Sequence, residues 1–208
     1  LYPTGITDEL LEFMAANSRI VPYLDIPFQH VSTSILKRMN RPYTTEMLVK
    51  LIEKIRQILP DIALRTTFLV GFPGETDSDI EQLAIFLSAM RIDHVGVFAY
   101  SNEEGSPSEF FDKQVSEQEK EARVEHIHAL QSQISSDIQQ KYIGKVESVL
   151  VEGISQETDL LLEGRTRFQA PDIDGCVLIN DGNANPGDIV QVRISESHTY
   201  DLVGGIIQ

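Results

Sequence analysis

Cysteine occurs once in these 208 residues, at Cys176. One thiol excludes an intrachain disulfide framework, and also any zinc or iron–sulfur centre built from several thiolates of this chain alone. The expected role for Cys176 is that of a small buried hydrophobe in a strand. Long apolar runs are missing too. Apolar residues make up 41% of the chain, yet no uninterrupted stretch reaches membrane-spanning length, so a soluble protein with no membrane partner is expected. The first residues hold Pro3, Gly5 and Asp8 with no basic segment ahead of an apolar core; no targeting signal is read there, and the cytoplasm is the expected compartment. Positive charge is scarce, with 17 basic side chains against 32 acidic ones and a net charge of −15. Nucleic-acid binders concentrate cations to displace condensed counterions, so this balance speaks against nucleic acid as a partner. The densest basic cluster, Lys37-Arg38-Met39-Asn40-Arg41, reads as the solvated end of a short helix.

What is present is a regular alternation over residues 1–141. Thr7, followed by Asp8 and Glu9, caps a helix reaching about Asn17, since carboxylates in a first turn complement the helix dipole. A strand is expected over Tyr23–Phe28. Thr44 or Thr45 then opens a helix with Leu48, Leu51, Ile52, Ile55 and Leu59 on one face, stopped by Pro60. The run Ala63–Val70 reads as a strand, and Thr76-Asp77-Ser78-Asp79 starts a helix whose buried side is Ile80, Leu83, Ala84, Phe86, Leu87 and Met90. A strand from His94 to Tyr100 follows. Ser116-Glu117-Gln118-Glu119 opens a long polar helix with Val124, Ile127, Leu130, Ile134 and Ile138 inside, ending at Gly144. Such alternation implies parallel strands joined by helical crossovers.

Beyond Gly144 the helical period disappears. Lys145–Ile154, Asp159–Phe168, Cys176–Asn180, Ile189–Ser195 and Tyr200–Ile206 read as short strands punctuated by glycine and proline, which suggests a small β-barrel of the oligonucleotide-fold type. Glycine/serine-rich linker sequence is lacking, so the long helix is expected to run straight into the barrel.

Three strand ends carry polar or glycine-rich chemistry, and the carboxyl ends of parallel strands are where α/β proteins bind ligands. The turn Gly71-Phe72-Pro73-Gly74 allows close backbone approach, serving either a ligand or turn geometry alone. Arg65, in an otherwise apolar and hydroxylic strand, needs an anionic partner: a ligand carboxylate, or Asp25 of a neighbouring strand. Gln29 and His30 are suited to hydrogen-bonding a ribose hydroxyl or carboxylate, with ligand contact and no proton transfer assigned to His30. Phe98 and Ala99 offer an apolar surface to an aromatic ring, and Tyr100, Ser101 and the loop to Pro107 form a rim, although an ordinary surface loop accounts equally well for Glu103 and Glu104.

Taken in order, Leu24-Asp25-Ile26-Pro27-Phe28-Gln29-His30, Met39-Asn40-Arg41-Pro42, Arg65-Thr66-Thr67-Phe68-Leu69-Val70-Gly71-Phe72-Pro73-Gly74-Glu75-Thr76 and Phe98-Ala99-Tyr100-Ser101 resemble the radical S-adenosylmethionine methylthiotransferases. The likeness runs the whole length, and the tail resembles the TRAM module of these enzymes. Gly164-Arg165-Thr166 and Gln169-Ala170-Pro171-Asp172-Ile173-Asp174-Gly175 resemble the branch that methylthiolates an aspartate of a small-subunit ribosomal protein. The resemblance implies the C-terminal part of a TIM-like partial (β/α) barrel over 1–141, entered at the third of six strands, then a TRAM barrel over 142–208 that docks substrate. It implies S-adenosylmethionine as cofactor, with Gln29 and His30 near ribose and methionine, Arg65 and Thr67 near polar groups, Leu69, Gly71, Phe72, Pro73 and Gly74 beside adenine, and Phe98, Ala99 and Tyr100 at its edge. The general pattern G-x-I-x-G-x-x-E is kept loosely, with Thr67 in place of its first glycine and Glu75 one residue late. The family's CxxxCxxC loop for a 4Fe-4S cluster, and its second cluster, have no cysteines here. The chain is therefore expected to be a fragment, unable by itself to cleave the cofactor reductively.

Residues 142–208 carry four basic and eleven acidic side chains, a net of −7. A basic ribosomal protein suits that surface, whereas a tRNA-modifying relative needs the opposite sign. A tRNA methylthiotransferase and a non-catalytic binding module are the alternatives, and a monomer is expected.

Overall fold

The computed structural model describes residues 1–156 and 158–207. They form two compact units, one made of Leu1–Ile20 with Leu24–Gln131 and the other of Val21–Tyr23 with the residues from Ser132 onward. Among the described residues no helix is long and apolar enough to cross a membrane.

In the α/β unit, helix α1 (Asp8–Ala16) begins where Thr7 Oγ1 accepts the Leu10 amide at 3.2 Å. Strand β1 (Tyr23–Asp25), helix α2 (Thr33–Arg38), helix α3 (Thr45–Ile58), strand β2 (Ala63–Val70), helix α4 (Asp77–Met90), strand β3 (His94–Ala99) and helix α5 (Glu117–Gln139) follow in order, the first residue of β1 and the last eight of α5 being counted with the second unit. The sheet runs β1-β2-β3, with β2 and β3 parallel and Arg65, Thr67 and Leu69 opposite His94, Gly96 and Phe98. Leu64, Thr66, Phe68 and Val70 point the other way and are buried, as the two-residue period of a strand requires. Phe68, Phe28 and Phe86 of α4 pack edge-on or tilted with centroids 6.3–6.4 Å apart, pinning that side to its helices. Leu48, Ile52 and Ile55 of α3 and Ile80, Leu83 and Leu87 of α4 complete the buried stripes, while Ala84 and Met90 are only half-buried.

The strand expected over Tyr23–Phe28 is regular only to Asp25. Pro27 has no N–H to give a ladder. Thr66 takes its place with a side chain: its hydroxyl donates to Ile26 O at 2.8 Å and accepts the Phe28 N–H at 3.1 Å. Gln29 then adopts φ +68° and rejoins the sheet as an isolated parallel bridge to Phe68. Helix α5 starts on the expected capping box, Ser116 and Glu119 each accepting the other's amide at 3.3 Å. It buries Ile127, Ile134 and Ile138, with Val124 and Leu130 partly covered.

The second unit closes a barrel from β4 (Val146–Ile154), β5 (Leu162–Thr166), β6 (Val177–Asp181), β7 (Ile189–Ser197) and β8 (Leu202–Ile206), in the order β4-β5-β6-β8-β7. Only the β6–β8 pair is parallel within it. Val149, Val151, Val177, Ile179, Val192, Ile194 and Leu202 fill the interior. Register shifts at Val151/Gly153, Ile179/Asp181 and Ile194/Glu196 bend the strands enough to close so small a cylinder. Strand β5 ends at Thr166 because the Gln169 side chain, not a neighbouring strand, takes the Thr166 N–H. Cys176 lies just ahead of β6 as a half-buried residue in no disulfide, not inside a strand as expected.

Two barrel glycines are dictated by close approach of strands. A Cβ on Gly164 would lie 2.4 Å from Leu150 O, and one on Gly204 would lie 2.4 Å from Arg193 O. Gly204→Ala is expected to destabilise the barrel by about 1–3 kcal/mol. Gly5→Ala, where nothing lies within 4 Å, is expected to leave stability unchanged. Thermal unfolding of the two variants checks the contrast.

Candidate ligand site at the strand ends

The helix-free face of the sheet gathers Arg65, Thr67 and Leu69 of β2 beside His94, Gly96 and Phe98 of β3. None of the β2 trio is fully buried. Phe98 is 55% exposed, and its ring lies back over Gly96, where an added Cβ would come within 3.1 Å of it and 3.7 Å of an Arg65 guanidinium nitrogen. Cation, aromatic ring and bare backbone thus meet in one spot. Gly96 was not among the residues singled out in the sequence, although a glycine inside a strand is itself the signal of close approach. Ala99 is exposed, and Tyr100 closes the edge with its hydroxyl donating to Ser108 Oγ at 2.6 Å. Asp25, weighed as the partner of Arg65, has a buried Oδ1 that takes no hydrogen bond from the described residues. Gln29 is half-buried beside β2, with its amide on Thr67 O and its carbonyl on the Leu69 amide, at 2.9 and 2.8 Å.

His30 does not join this face. Gln29 and His30 are sequence neighbours, and His30 is the one turned inward, fully buried. Its Nδ1 accepts the Ser32 N–H at 2.9 Å, which leaves the ring proton on Nε2, 3.2 Å from Glu75 Oε2. Ligand contact by His30 is replaced by a structural role.

The Gly71–Gly74 turn also differs from expectation. Gly71 and Gly74 have φ of +79° and +88°, yet protein fills the space beside them. A Cβ on Gly71 would sit 2.3 Å from the Lys120 stem, and one on Gly74 would sit 3.1 Å from the Arg38 guanidinium. Arg38, the supposed solvated helix end, donates from Nε to Pro73 O at 3.0 Å and pairs with Asp112 at 3.0 Å. Lys120 is buried, with Nζ 2.6 Å from Glu117 Oε1 and 5.6 Å over the Tyr100 ring. Phe72 is buried against Tyr100, centroids 4.8 Å apart. The turn shapes the end of the site from behind.

Glu75 holds the turn from inside. Its fully buried carboxylate accepts the Gly71 N–H at 2.7 Å and the Arg123 guanidinium at 3.0 Å through Oε1, while Oε2 faces His30. Asp79, at the start of α4, accepts Ser32 Oγ at 2.5 Å and both the amide and the hydroxyl of Thr76 at 2.8 and 2.6 Å. Burial works to raise the Asp79 carboxyl, but the hydrogen bonds from Ser32 and Thr76 outweigh it and hold the group below its ordinary 3.8.

Residues 2–87 match the model of the radical SAM superfamily, and residues 143–207 match that of the TRAM domain. The ribosomal protein uS12 methylthiotransferase RimO of Desulfotalea psychrophila is 56% identical over 207 residues, covering 100% of this chain and 47% of that protein. The RimO of Geobacter sulfurreducens is 48% identical over 206 residues, covering 99% of this chain and 46% of its own length. The chain thus spans about half the length of these curated relatives. Among solved structures, the Escherichia coli coproporphyrinogen III oxidase HemN, a radical SAM enzyme, aligns at a TM-score of 0.56 and 12% identity, covering 80% of this chain and 45% of HemN. That likeness concerns the fold.

Removing one partner of a buried ion pair strands the other charge, so Glu75→Ala is expected to cost the α/β unit about 3–5 kcal/mol. Hydrogen exchange of β2 amides reads the loss, with barrel amides as the internal control. For Asp79 the folded-state value is depressed, so its stabilisation is complete above the ordinary 3.8 and is lost as pH falls through the folded value. Urea midpoints of the native protein and Asp79→Ala are expected to differ at neutral pH and to converge in acid.

Proposed function

Since the chain belongs to the radical SAM methylthiotransferase family, we propose that it is the C-terminal portion of an enzyme that adds a methylthio group to the β-carbon of an aspartate in ribosomal protein uS12. On this reading the α/β unit supplies one wall of the S-adenosylmethionine site, and the acidic barrel docks the basic substrate.

The observation that carries the cofactor assignment is the open face of the sheet, where Arg65, Gly96 and Phe98 converge. Its donor set fits the cofactor part by part. Arg65 pairs with the methionyl carboxylate, Gln29 and Thr67 hydrogen-bond ribose and amino groups, and the buried Oδ1 of Asp25 offers an acceptor. Phe98 over Gly96 presents a flat apolar bed for adenine, with Leu69, Ala99 and Tyr100 at its margin. Gly71, Phe72, Pro73 and Gly74 act through the shape they give that margin. Bound there with a reduced 4Fe-4S cluster, S-adenosylmethionine would supply radical chemistry at an unactivated carbon. With Cys176 as its one thiol, this chain does not hold the cluster, and its residues bind and orient the cofactor. The net −7 of residues 142–208 favours a cationic protein over tRNA as the barrel's partner.

Calorimetric titration of S-adenosylmethionine into the chain tests the site. Phe98→Ala and Arg65→Ala are each expected to weaken binding by about tenfold, the scale of one lost ring stack or charge pair. Phe13→Ala, an exposed phenylalanine on α1, is expected to change nothing. Equal effects of all three, or none, contradict the assignment.

A further inference from the structure

We propose that the barrel bears a two-part cleft for an extended peptide in which an apolar residue is flanked by basic ones. The inference rests on the docking role given above to the acidic barrel, and it says where on the barrel the partner sits and by what chemistry.

The first part is a cavity of about 420 Å³ with largely apolar walls, among them Leu150, Ile189 and the stem of Arg167. Ile189 is 71% exposed at its edge. Gln169 also lines it and is only 7% exposed. The Gln169 Oε1 accepts the Thr166 N–H at 2.9 Å and the Thr166 hydroxyl at 3.0 Å. A backbone N–H can only donate, so the amide cannot be turned round, and its Nε2 is a buried donor with no hydrogen-bond partner among the described residues. Native proteins rarely leave such a group unmatched; an acceptor from outside is the missing element.

The second part is a cavity of about 540 Å³ that shares Arg165, Ala170 and Pro171 with the first. Glu152, Glu163, Asp172, Asp174 and Asp201 line it. Arg165 stands on the divide with its Nε on Glu152 Oε1 at 3.0 Å. An anionic ligand in the apolar part would lie beside this field and be repelled by it. A neutral main-chain carbonyl meets no such penalty. A peptide bond placing its carbonyl on Gln169 Nε2 and its apolar side chain on Ile189 leaves its basic neighbours over the acidic part, following the alternation of an extended chain.

The test is nuclear magnetic resonance on the full 208-residue chain, following the Gln169 side-chain amide during titration with three blocked hexapeptides. They alternate lysine with leucine, lysine with glycine, and glutamate with leucine. The lysine–leucine peptide is expected to shift the Gln169 amide saturably, the lysine–glycine peptide to bind at least about tenfold more weakly, and the glutamate–leucine peptide not to bind. Ile189→Ser, at a position exposed enough to keep the fold, is expected to weaken the lysine–leucine peptide by a similar factor, and Gln169→Leu to weaken it further. Binding that leaves the Gln169 amide unmoved, or is indifferent to both substitutions, overturns the proposal. So does displacement of the peptide by millimolar phosphate or acetate, which would mark an anion site. Purified uS12 separates the two readings. If uS12 binds the native chain and Ile189→Ser equally, docking stands and the cleft falls; if uS12 fails to bind while the peptide moves Gln169, the cleft stands and the docking partner is wrong.

Discussion

The carboxylate of Glu75 is the group on which the candidate site depends. It is fully buried and holds its own turn through the Gly71 amide while reaching two segments distant in sequence, the end of the first strand through His30 and helix α5 through Arg123. A carboxylate so placed is tolerable only while those partners stay, which makes the arrangement close to all-or-none. Arg38 and Lys120 press on the turn from the other side, the Lys120 stem and the Arg38 guanidinium filling the volume that side chains at positions 71 and 74 would need. Glycine is required there because cationic stems pack against backbone that has positive φ. The result is a rigid end to β2, so the residues before the turn keep fixed positions on the open face.

That rigidity matters because the face itself is lightly built. Arg65, Thr67 and Leu69 are held by strand geometry on one side and by the Phe28–Phe68–Phe86 ring cluster behind them, and all three stay only partly buried. Gln29 is held in the left-handed region by two backbone bonds to β2, a conformation that persists only where its surroundings enforce it. The barrel solves a different problem. With a core of branched aliphatic residues, and glycines at 164 and 204 where neighbouring backbone leaves no room for a Cβ, it closes on itself, leaving its surface free to be acidic.

Much of this was readable in the residues. Helix starts at Thr7, Thr44, Thr76 and Ser116 follow from cap chemistry, which is local, and β2 follows from a largely apolar run in which Thr66, Thr67, Phe68 and Val70 favour a strand. The barrel type follows from strand spacing and punctuation. What could not be read depends on which way one residue turns. Gln29 and His30 look equally able to meet a ligand, yet the chain turns through the left-handed region at Gln29 and carries His30 into the interior, where it is fully buried. The break at Pro27 depends on a hydroxyl 39 positions away, at Thr66, that substitutes for the ladder. Arg38 and Lys120 carry no local mark of their packing; only the folded chain brings their stems to the turn. Gln169, within a motif legible as a family mark, shows its unmatched amide only in three dimensions.

The most direct measurement is a crystal structure of the chain with S-adenosylmethionine. The account requires adenine against Phe98 and Gly96, the methionyl carboxylate on Arg65, and an unchanged Glu75–His30–Arg123 cluster. Cofactor lodged on the helix-covered side of the sheet, or a turn that opens by parting Glu75 from Arg123 to admit it, would contradict it.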